Sequence, residues 1–193
     1  MKTENIYSII SDATTNIKNN RPESAIEELK NLSDALYQEL ERKKPTGALY
    51  KAMQKIIKSA PITIDKLKGA WIKDGKQYVC NMYVLIASNV IFDFTKAEGI
   101  DGEGILKQHR HNIPLALPTI ADLKISLADS KKHKNKYHRY DLGDKLPLVD
   151  TVFLMSILEA FPGCECFWDG KTIHSLYFTH ENGEAILLPY RKE

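Results

Sequence analysis

The sequence predicts an α+β fold in which amphipathic helices precede antiparallel strand hairpins. The clearest evidence is the C-terminal stretch, where Asp150 is placed to cap a helix that Pro162-Gly163 ends. Strand-like runs follow around Asp169-Gly170 and Asn182-Gly183, two dipeptides that favour tight turns between antiparallel strands. Apolar residues alternate in the last two runs, which indicates a sheet packed on one face. We expect the helix to cover that face.

Residues 1–44 are expected to form a helical hairpin. Apolar residues recur every three or four positions from Asn5 to Ile17, and again from Pro22, a favoured first helical residue, to Leu40. Two antiparallel helices joined by a short loop would bury these stripes within one chain. The same stripes also suit a coiled-coil-like seam between two copies, so a homo-oligomer is the open alternative.

Residues 45–193 are expected to form one further domain that begins with its own helix and hairpin. A helix with an apolar stripe ends at Pro61, and strands follow on either side of Asp74-Gly75. Residues 92–118 have no convincing period and contain several glycines and prolines, which predicts a long loop. A polar helix over 119–134 then leads to strands near 136–142 and 146–149.

Composition narrows the functional classes. The chain has 193 residues and a formal net charge of +2, which implies no strong global attraction to polyanions. Its three cysteines do not make a disulfide framework. No apolar run approaches the ~20 residues of a membrane span, and the N-terminus lacks the features of a signal peptide. These observations predict a cytoplasmic protein with no membrane contact.

Residues that could carry catalysis or bind a metal are few. Six of them supply thiol or imidazole groups: Cys164, Cys166, His109, His111, His174 and His180. Their spacing lacks the Cys-x-x-Cys or His-x-x-x-His loops of zinc sites. No serine lies in a Gly-x-Ser-x-Gly elbow, and the glycines near position 100 do not form a phosphate-binding loop. The sequence therefore predicts a protein that is not an enzyme, with no cofactor and no metal; the rival is a small metal-dependent hydrolase using these histidines and the long loop.

The final third of the chain carries two motifs. Val149-Asp150-x-x-Phe153-Leu154 leads into the last helix, and the last strand ends in Leu188-Pro189-Tyr190-Arg191. These motifs resemble the bacterial sliding clamp, the DNA polymerase III beta subunit, in which a strand feeds a Tyr-Leu-Leu-Asp-Val-Leu helix and the chain ends in Met-Pro-Met-Arg. The stretch from Gly183 to Arg191 is also similar to the ending of uncharacterised proteins from Gram-positive bacteria and their phages.

The resemblance implies a DNA-clamp-like domain, an antiparallel sheet backed by two helices, after the helical hairpin. In clamps the terminal strand helps to line an apolar groove in which short peptides of polymerases and other partners dock. Carried over, this implies a peptide-binding site and a protein or peptide partner, in a binding or assembly module tied to replication of phage or mobile DNA. The residues implicated are Leu188, Pro189, Tyr190 and Arg191. The alternative is that they only complete the core and the sheet edge.

The first half departs from the clamp pattern, because Asn81-Met82-Tyr83-Val84 stands where clamps have Asp-Gly-His/Tyr-Arg. Clamps also supply Lys and Arg from two inward-facing helices, whereas the helix after Asp150 has no basic residue. A second DNA-binding hypothesis rests on the basic run 131–139, which could hold phosphates. Its basic residues are Lys131, Lys132, Lys134, Lys136 and Arg139. Such a run at a helix end is also typical of a solvated, dipole-stabilised surface.

Overall fold

The computed structural model describes residues 3–135 and 137–191. The chain divides into two compact units, residues 1–47 and 48–193, so the division lies three residues beyond the boundary expected after residue 44. None of the helices in the described part of the chain combines the length and apolar character needed to cross a bilayer.

The first unit is an antiparallel helical hairpin. Helix α1 (Thr3–Lys18) and helix α2 (Pro22–Lys43) are joined by residues 19–21, where Asn20 adopts a positive φ of 55°. Asn16 Nδ2 donates a hydrogen bond to Glu28 Oε1 at 3.0 Å and links the two helices. Pro22 stands at the start of α2, as the sequence predicted.

The second unit contains the remaining elements. Its helices are α3 (Gly47–Lys58), α4 (Gly102–Gln108), α5 (Ile120–Lys132) and α6 (Thr151–Ala160). Its strands are β1 (Trp71–Lys73), β2 (Lys76–Cys80), β3 (Val84–Ser88), β4 (Ile113–Pro114), β5 (Arg139–Asp141), β6 (Leu148–Asp150), β7 (Glu165–Trp168), β8 (Leu176–His180) and β9 (Gly183–Leu187). The predicted α+β class is confirmed.

The main sheet has the order β1-β2-β3-β9-β8-β7-β4, and its strand pairs are antiparallel. Strands β5 and β6 form a separate two-stranded ribbon. A helix followed by a three-stranded meander occurs twice, as α3-β1-β2-β3 and as α6-β7-β8-β9. The two meanders join where β3 pairs with β9, with Ile86 opposite Ala185 at the middle of the seam.

The central strands of the sheet, such as β3 and β9, are buried on both faces, so the expectation of a sheet packed on one side is wrong there. On one face Tyr78, Leu85 and Ile186 form a core cluster with Leu106 of α4. The residues that alternate with them, such as Ile86, are equally buried on the other face, where α6 packs against β9. Every residue of β3 is buried, which removes the alternation expected of a half-exposed strand.

The segment that covers the first face is residues 92–118, and the prediction that this stretch is a long loop without helix or strand is wrong in part. It contains α4, whose cap is Asp101, and the short strand β4. Gln77 of β2 fixes its start, because the side-chain amide accepts from Phe92 N at 2.9 Å and donates to Phe92 O at 2.8 Å. A Cβ on Gly102 would lie 2.6 Å from the Tyr78 ring, so this glycine permits close packing of a helix and is not a loop signal.

The turn predictions have mixed outcomes. Asp74 and Gly75 form the predicted tight turn, with φ values of 50° and 76°. Strands β8 and β9 form the expected hairpin, but the turn lies one residue earlier, at 181–182. Asp169-Gly170 is not a tight turn, because β8 begins only at Leu176. The strand expected over 136–142 is reduced to β5, and residue 136 lies outside the described residues.

Candidate functional site

A groove of about 250 Å³ lies beside the residues that follow β9, and we call it the final-strand groove. Its apolar and aromatic walls come from Tyr83, Tyr137, Phe153, Leu188, Pro189 and Tyr190. Polar groups of Ser59, Asn81 and Asp150 complete the lining. The structure therefore brings Leu188, Pro189 and Tyr190 to one groove, whereas Arg191 is exposed and does not line it.

The backbone after β9 is hydrogen-bonded on both sides. Leu188 N donates to Tyr83 O at 2.8 Å, and Tyr190 N donates to Leu148 O at 2.7 Å. Pro189 between them has no N–H to donate. The segment thus joins the main sheet to the β5-β6 ribbon. A ligand in the groove would consequently be held by the side chains of these residues and not by addition of a strand.

Tyr190 is held in place by two charged neighbours. Its hydroxyl donates to Asp150 Oδ2 at 3.1 Å, and the Arg139 guanidinium lies 4.9 Å from the centre of its ring. Burial, reinforced by the Asp150 carboxylate, raises the pKa of Tyr190 to about 12. Asp150 Oδ1 also accepts from the backbone N–H groups of Val152 and Phe153, both at 2.9 Å. Asp150 therefore couples the first turn of α6 to the groove wall.

The opposite wall is built on the turn between β2 and β3. Asn81 Oδ1 accepts from Tyr83 N at 3.0 Å and from Val84 N at 2.8 Å, and Asn81 Nδ2 donates to Ser59 Oγ at 2.8 Å. Met82 takes a φ of 77° within this turn. The arrangement holds Tyr83 at the rim with 59% of its surface exposed. Of the four residues that depart from the clamp motif, Asn81 and Tyr83 thus line the groove.

The basic run divides into two parts. Lys131 and Lys132 end α5, Lys134 follows, and all three are exposed. Arg139 instead lies against the rings of Tyr137 and Tyr190, which line the groove, although Arg139 itself is not part of the lining. Arg139 lines a different hollow, of about 450 Å³, which also contains Asp122 and Asp129, and the negative charges of these two residues oppose phosphate binding. Lys136 lies outside the described residues.

A larger cleft of about 840 Å³ lies along α3 and α6, and we call it the helix-pair cleft. Lys55 Nζ donates to Ser156 Oγ at 2.9 Å, and Ser156 Oγ in turn donates to Val152 O at 2.7 Å. Burial lowers the pKa of Lys55, but the lysine is a hydrogen-bond donor here, whereas a general base would accept the proton of the serine. Burial raises the pKa of Cys164, at the other end of the cleft, to about 11, so its thiol is not an activated nucleophile.

The candidate metal ligands do not converge. His109 Nδ1 and His111 Nε2 lie 2.7 Å and 3.3 Å from Ser175 Oγ, whereas Asp169 is hydrogen-bonded to His174. In a catalytic triad the carboxylate orients the histidine that contacts the serine. Here Asp169 orients His174, which is not one of the two histidines beside Ser175. Among the described residues, no group of three or more His, Cys, Asp or Glu side chains is placed to hold a metal ion.

The histidine cluster predicts how stability depends on pH. Burial, followed by the charges of His111 and His174, lowers the pKa of His109 in the folded state. As the pH falls through about 6.5, the ordinary imidazole pKa, the unfolded chain takes up a proton there that the folded chain does not. The free energy of unfolding should therefore decrease over this range.

Denaturant titrations at several pH values between about 7.5 and 5.5 measure this effect. His109→Asn should reduce the pH dependence, and His133→Asn, at the exposed end of α5, should leave it as in the wild type. Equal pH slopes for the wild type and His109→Asn would contradict the assignment.

Comparisons with known proteins give no relative, because no family model, no curated protein and no solved structure matches this chain.

Proposed function

We propose that residues 48–191 form a non-enzymatic protein-binding module that takes a segment of a partner protein into the final-strand groove. The observation that carries the proposal is the convergence of three segments, each from a different part of the chain, on one apolar groove. Tyr83 comes from the β2-β3 turn, Phe153 from α6 and Leu188 from the end of β9. Aromatic and aliphatic side chains around a small pocket are typical of the anchoring points of protein interfaces.

The size of the groove supports a peptide and not a cofactor. Its volume of about 250 Å³ is below the roughly 300–1,000 Å³ of small-molecule sites. One large apolar or aromatic side chain of a partner fits this space better than a whole nucleotide. The rest of the partner segment would lie across Tyr83 and Leu188, which are 59% and 39% exposed.

The charges beside the groove suggest what flanks the anchor. The Arg139 guanidinium lies on the face of Tyr190, at the edge of the groove, and Arg191 is exposed nearby in the chain. Asp150 uses its carboxylate within the protein, on Tyr190 and on the first turn of α6. The net effect favours a partner segment with an acidic residue next to its apolar anchor.

The resemblance to the sliding clamp adds the biological setting of the proposal, which is assembly of a protein complex in replication of phage or mobile DNA. The repeated helix-then-meander order supports a clamp-like arrangement of residues 48–191. Two features distinguish this chain from a clamp that surrounds DNA. The face of the sheet around Tyr78 is covered by α4 and its neighbours. Lys55 donates its hydrogen bonds to α6. Encircling a DNA duplex is therefore not part of the proposal.

Selection of peptides from a random library tests the proposal, and it does not require the partner to be identified. A displayed library is selected on the full chain, and the affinity of each enriched peptide is measured by fluorescence anisotropy. Leu188→Ser and Tyr83→Ser should each weaken binding at least about tenfold, since each removes apolar contact area worth ~1.4 kcal/mol or more. Both side chains are exposed enough for the fold to tolerate the change.

Ile62→Ser provides the matched control, because Ile62 is 85% exposed and lies outside the groove. Its affinity for the peptides should equal that of the wild type. The proposal would be rejected if no peptide is enriched over an unrelated protein. It would also be rejected if the enriched peptides bind the two groove variants as tightly as the wild type.

A further inference from the structure

The helical hairpin of residues 3–43 buries only part of its apolar stripes. Ala13 of α1 and Ala25 and Leu32 of α2 are buried, as expected of residues in the contact between the two helices. The neighbouring positions of the same stripes stay open, with exposures from 37% to 66%. These residues are Ile10, Ile17, Ile26, Leu29, Leu36 and Leu40.

The six exposed residues lie on one side of the hairpin. At about 100° per residue, Ile10 and Ile17 are offset from Ala13 in the same rotational sense as Leu29 and Leu36 are from Leu32. Because α1 and α2 run antiparallel, equal offsets turn both sets toward the same side. We call this side the open hairpin face, defined by the six residues named above.

The open hairpin face carries no charge along its length. The six side chains that define the face are aliphatic, and the polar residues that share its arc between them, Thr14 on α1 and Ser33 on α2, are uncharged. On α2 the positions 26, 29, 33, 36 and 40, which include Ser33, are spaced by three and four residues, the pattern of a and d positions in a helical bundle. Contact between the two helices of a hairpin buries only the residues that face the partner helix. A second layer of helices is needed to bury the neighbouring apolar residues.

We propose that the open hairpin face binds the same face of a second copy, so that two hairpins form an antiparallel four-helix bundle. The six residues expose roughly 600 Å² of surface, which is the lower end of the roughly 600–1,000 Å² that each partner buries in a stable interface. In a two-fold dimer the same patch of each copy contacts its counterpart, so the patch must be complementary to itself. An uncharged aliphatic face meets this requirement.

The charge of the hairpin also favours a second copy over an acidic or basic partner. Residues 1–47 contain seven Lys or Arg and eight Asp or Glu, so two copies meet with almost no net repulsion. A partner recognised through charge would have no counterpart on the open hairpin face. This inference concerns residues 1–47 and stands independently of the groove in residues 48–191.

Sedimentation of the full chain over a range of concentrations tests the inference. The wild type should have twice the 22.0 kDa mass of one chain. The double variant Leu29→Glu/Leu36→Glu places four carboxylates in the seam and should raise the dissociation constant of the dimer at least about 100-fold. The matched double variant Ile62→Glu/Ile125→Glu, at two exposed isoleucines of the other unit, should remain a dimer.

A milder variant covers the case in which the glutamates disturb the helices. Leu29→Ala/Leu36→Ala keeps helix propensity and, because it truncates four leucines in the seam of the dimer, should weaken the dimer at least about tenfold, with the far-UV circular dichroism of the wild type. A wild type that is monomeric at all concentrations would overturn the inference and point to a different occupant of the face. The inference would also be overturned if the alanine and glutamate variants dimerise as tightly as the wild type. The same holds if the control variant Ile62→Glu/Ile125→Glu disrupts the dimer.

Discussion

Replacing Gly183 with alanine is expected to destabilise residues 48–191 by more than about 3 kcal/mol. Gly183 begins β9 opposite Ser88 and has a φ of +150°, a conformation that an L-residue adopts only at a cost. A Cβ at this position would lie 2.1 Å from Ala87 O, a backbone atom that cannot move without shifting β3. The penalty thus falls on the seam where the two meanders meet.

Gly163→Ala is the matched control for this prediction. Gly163 also has a positive φ, +76°, but a Cβ there would meet no atom within 4 Å. Gly163→Ala should lower the free energy of unfolding by only about 1 kcal/mol, because only the cost of a positive φ applies there. Urea unfolding of both variants gives the comparison. If Gly183→Ala costs no more than Gly163→Ala, the close approach of β3 and β9 at this point is wrong.

The second large effect is expected at Asp150. Its carboxylate accepts two backbone hydrogen bonds at the start of α6 and one from the Tyr190 hydroxyl. Asp150→Ala should cost about 2–3 kcal/mol, because loss of an N-cap costs ~1 kcal/mol and the Tyr190 hydroxyl loses a partner worth about as much or more. The variant should also weaken peptide binding, since Tyr190 is no longer fixed in the groove wall.

Asp150→Asn separates the hydrogen bonds from the charge. The asparagine oxygen can still accept at the start of the helix, and asparagine is as good a cap as aspartate. This variant should therefore unfold within about 1 kcal/mol of the wild type and keep most of the peptide affinity. Equal losses of stability in the alanine and asparagine variants would show that the cap does not depend on the acceptor oxygen, contrary to the structure.

Local sequence signals were sufficient for elements whose ends are fixed by nearby residues. The helix α6 was predicted because its cap, Asp150, and its terminating pair Pro162-Gly163 act within one turn. The Asp74-Gly75 turn was predicted for the same reason, since its positive φ values are a property of the two residues themselves. Such signals do not depend on the rest of the fold.

The segment 92–118 could not be predicted because distant side chains fix it. Gln77 holds the backbone of Phe92, and Glu184 accepts from Arg110 at 3.0 Å across 74 residues. The glycines that suggested a loop are required by close neighbours, as at Gly102 beside Tyr78. This segment covers the sheet face around Tyr78. Because the segment was not predicted, the burial of that face was not predicted either.

The candidate groove was only partly accessible from the sequence. Leu188, Pro189 and Tyr190 were found through the resemblance of the chain's ending to that of the sliding clamp. Tyr83 and Phe153 were not, because they join the groove only through the pairing of β3 with β9 and the packing of α6. The available signals were the departure of Asn81 to Val84 from the clamp pattern, which includes Tyr83, and the place of Phe153 in the motif that leads into the last helix.

Photo-crosslinking of a selected peptide tests the central claim most directly. A photoreactive aliphatic analogue is placed at the apolar anchor of an enriched peptide, and the crosslinked residues of the full chain are identified by mass spectrometry. The proposed function predicts crosslinks to Tyr83, Phe153 or Leu188, which line the final-strand groove. Crosslinks confined to Lys51, Ile120 or Leu158 of the helix-pair cleft would contradict it.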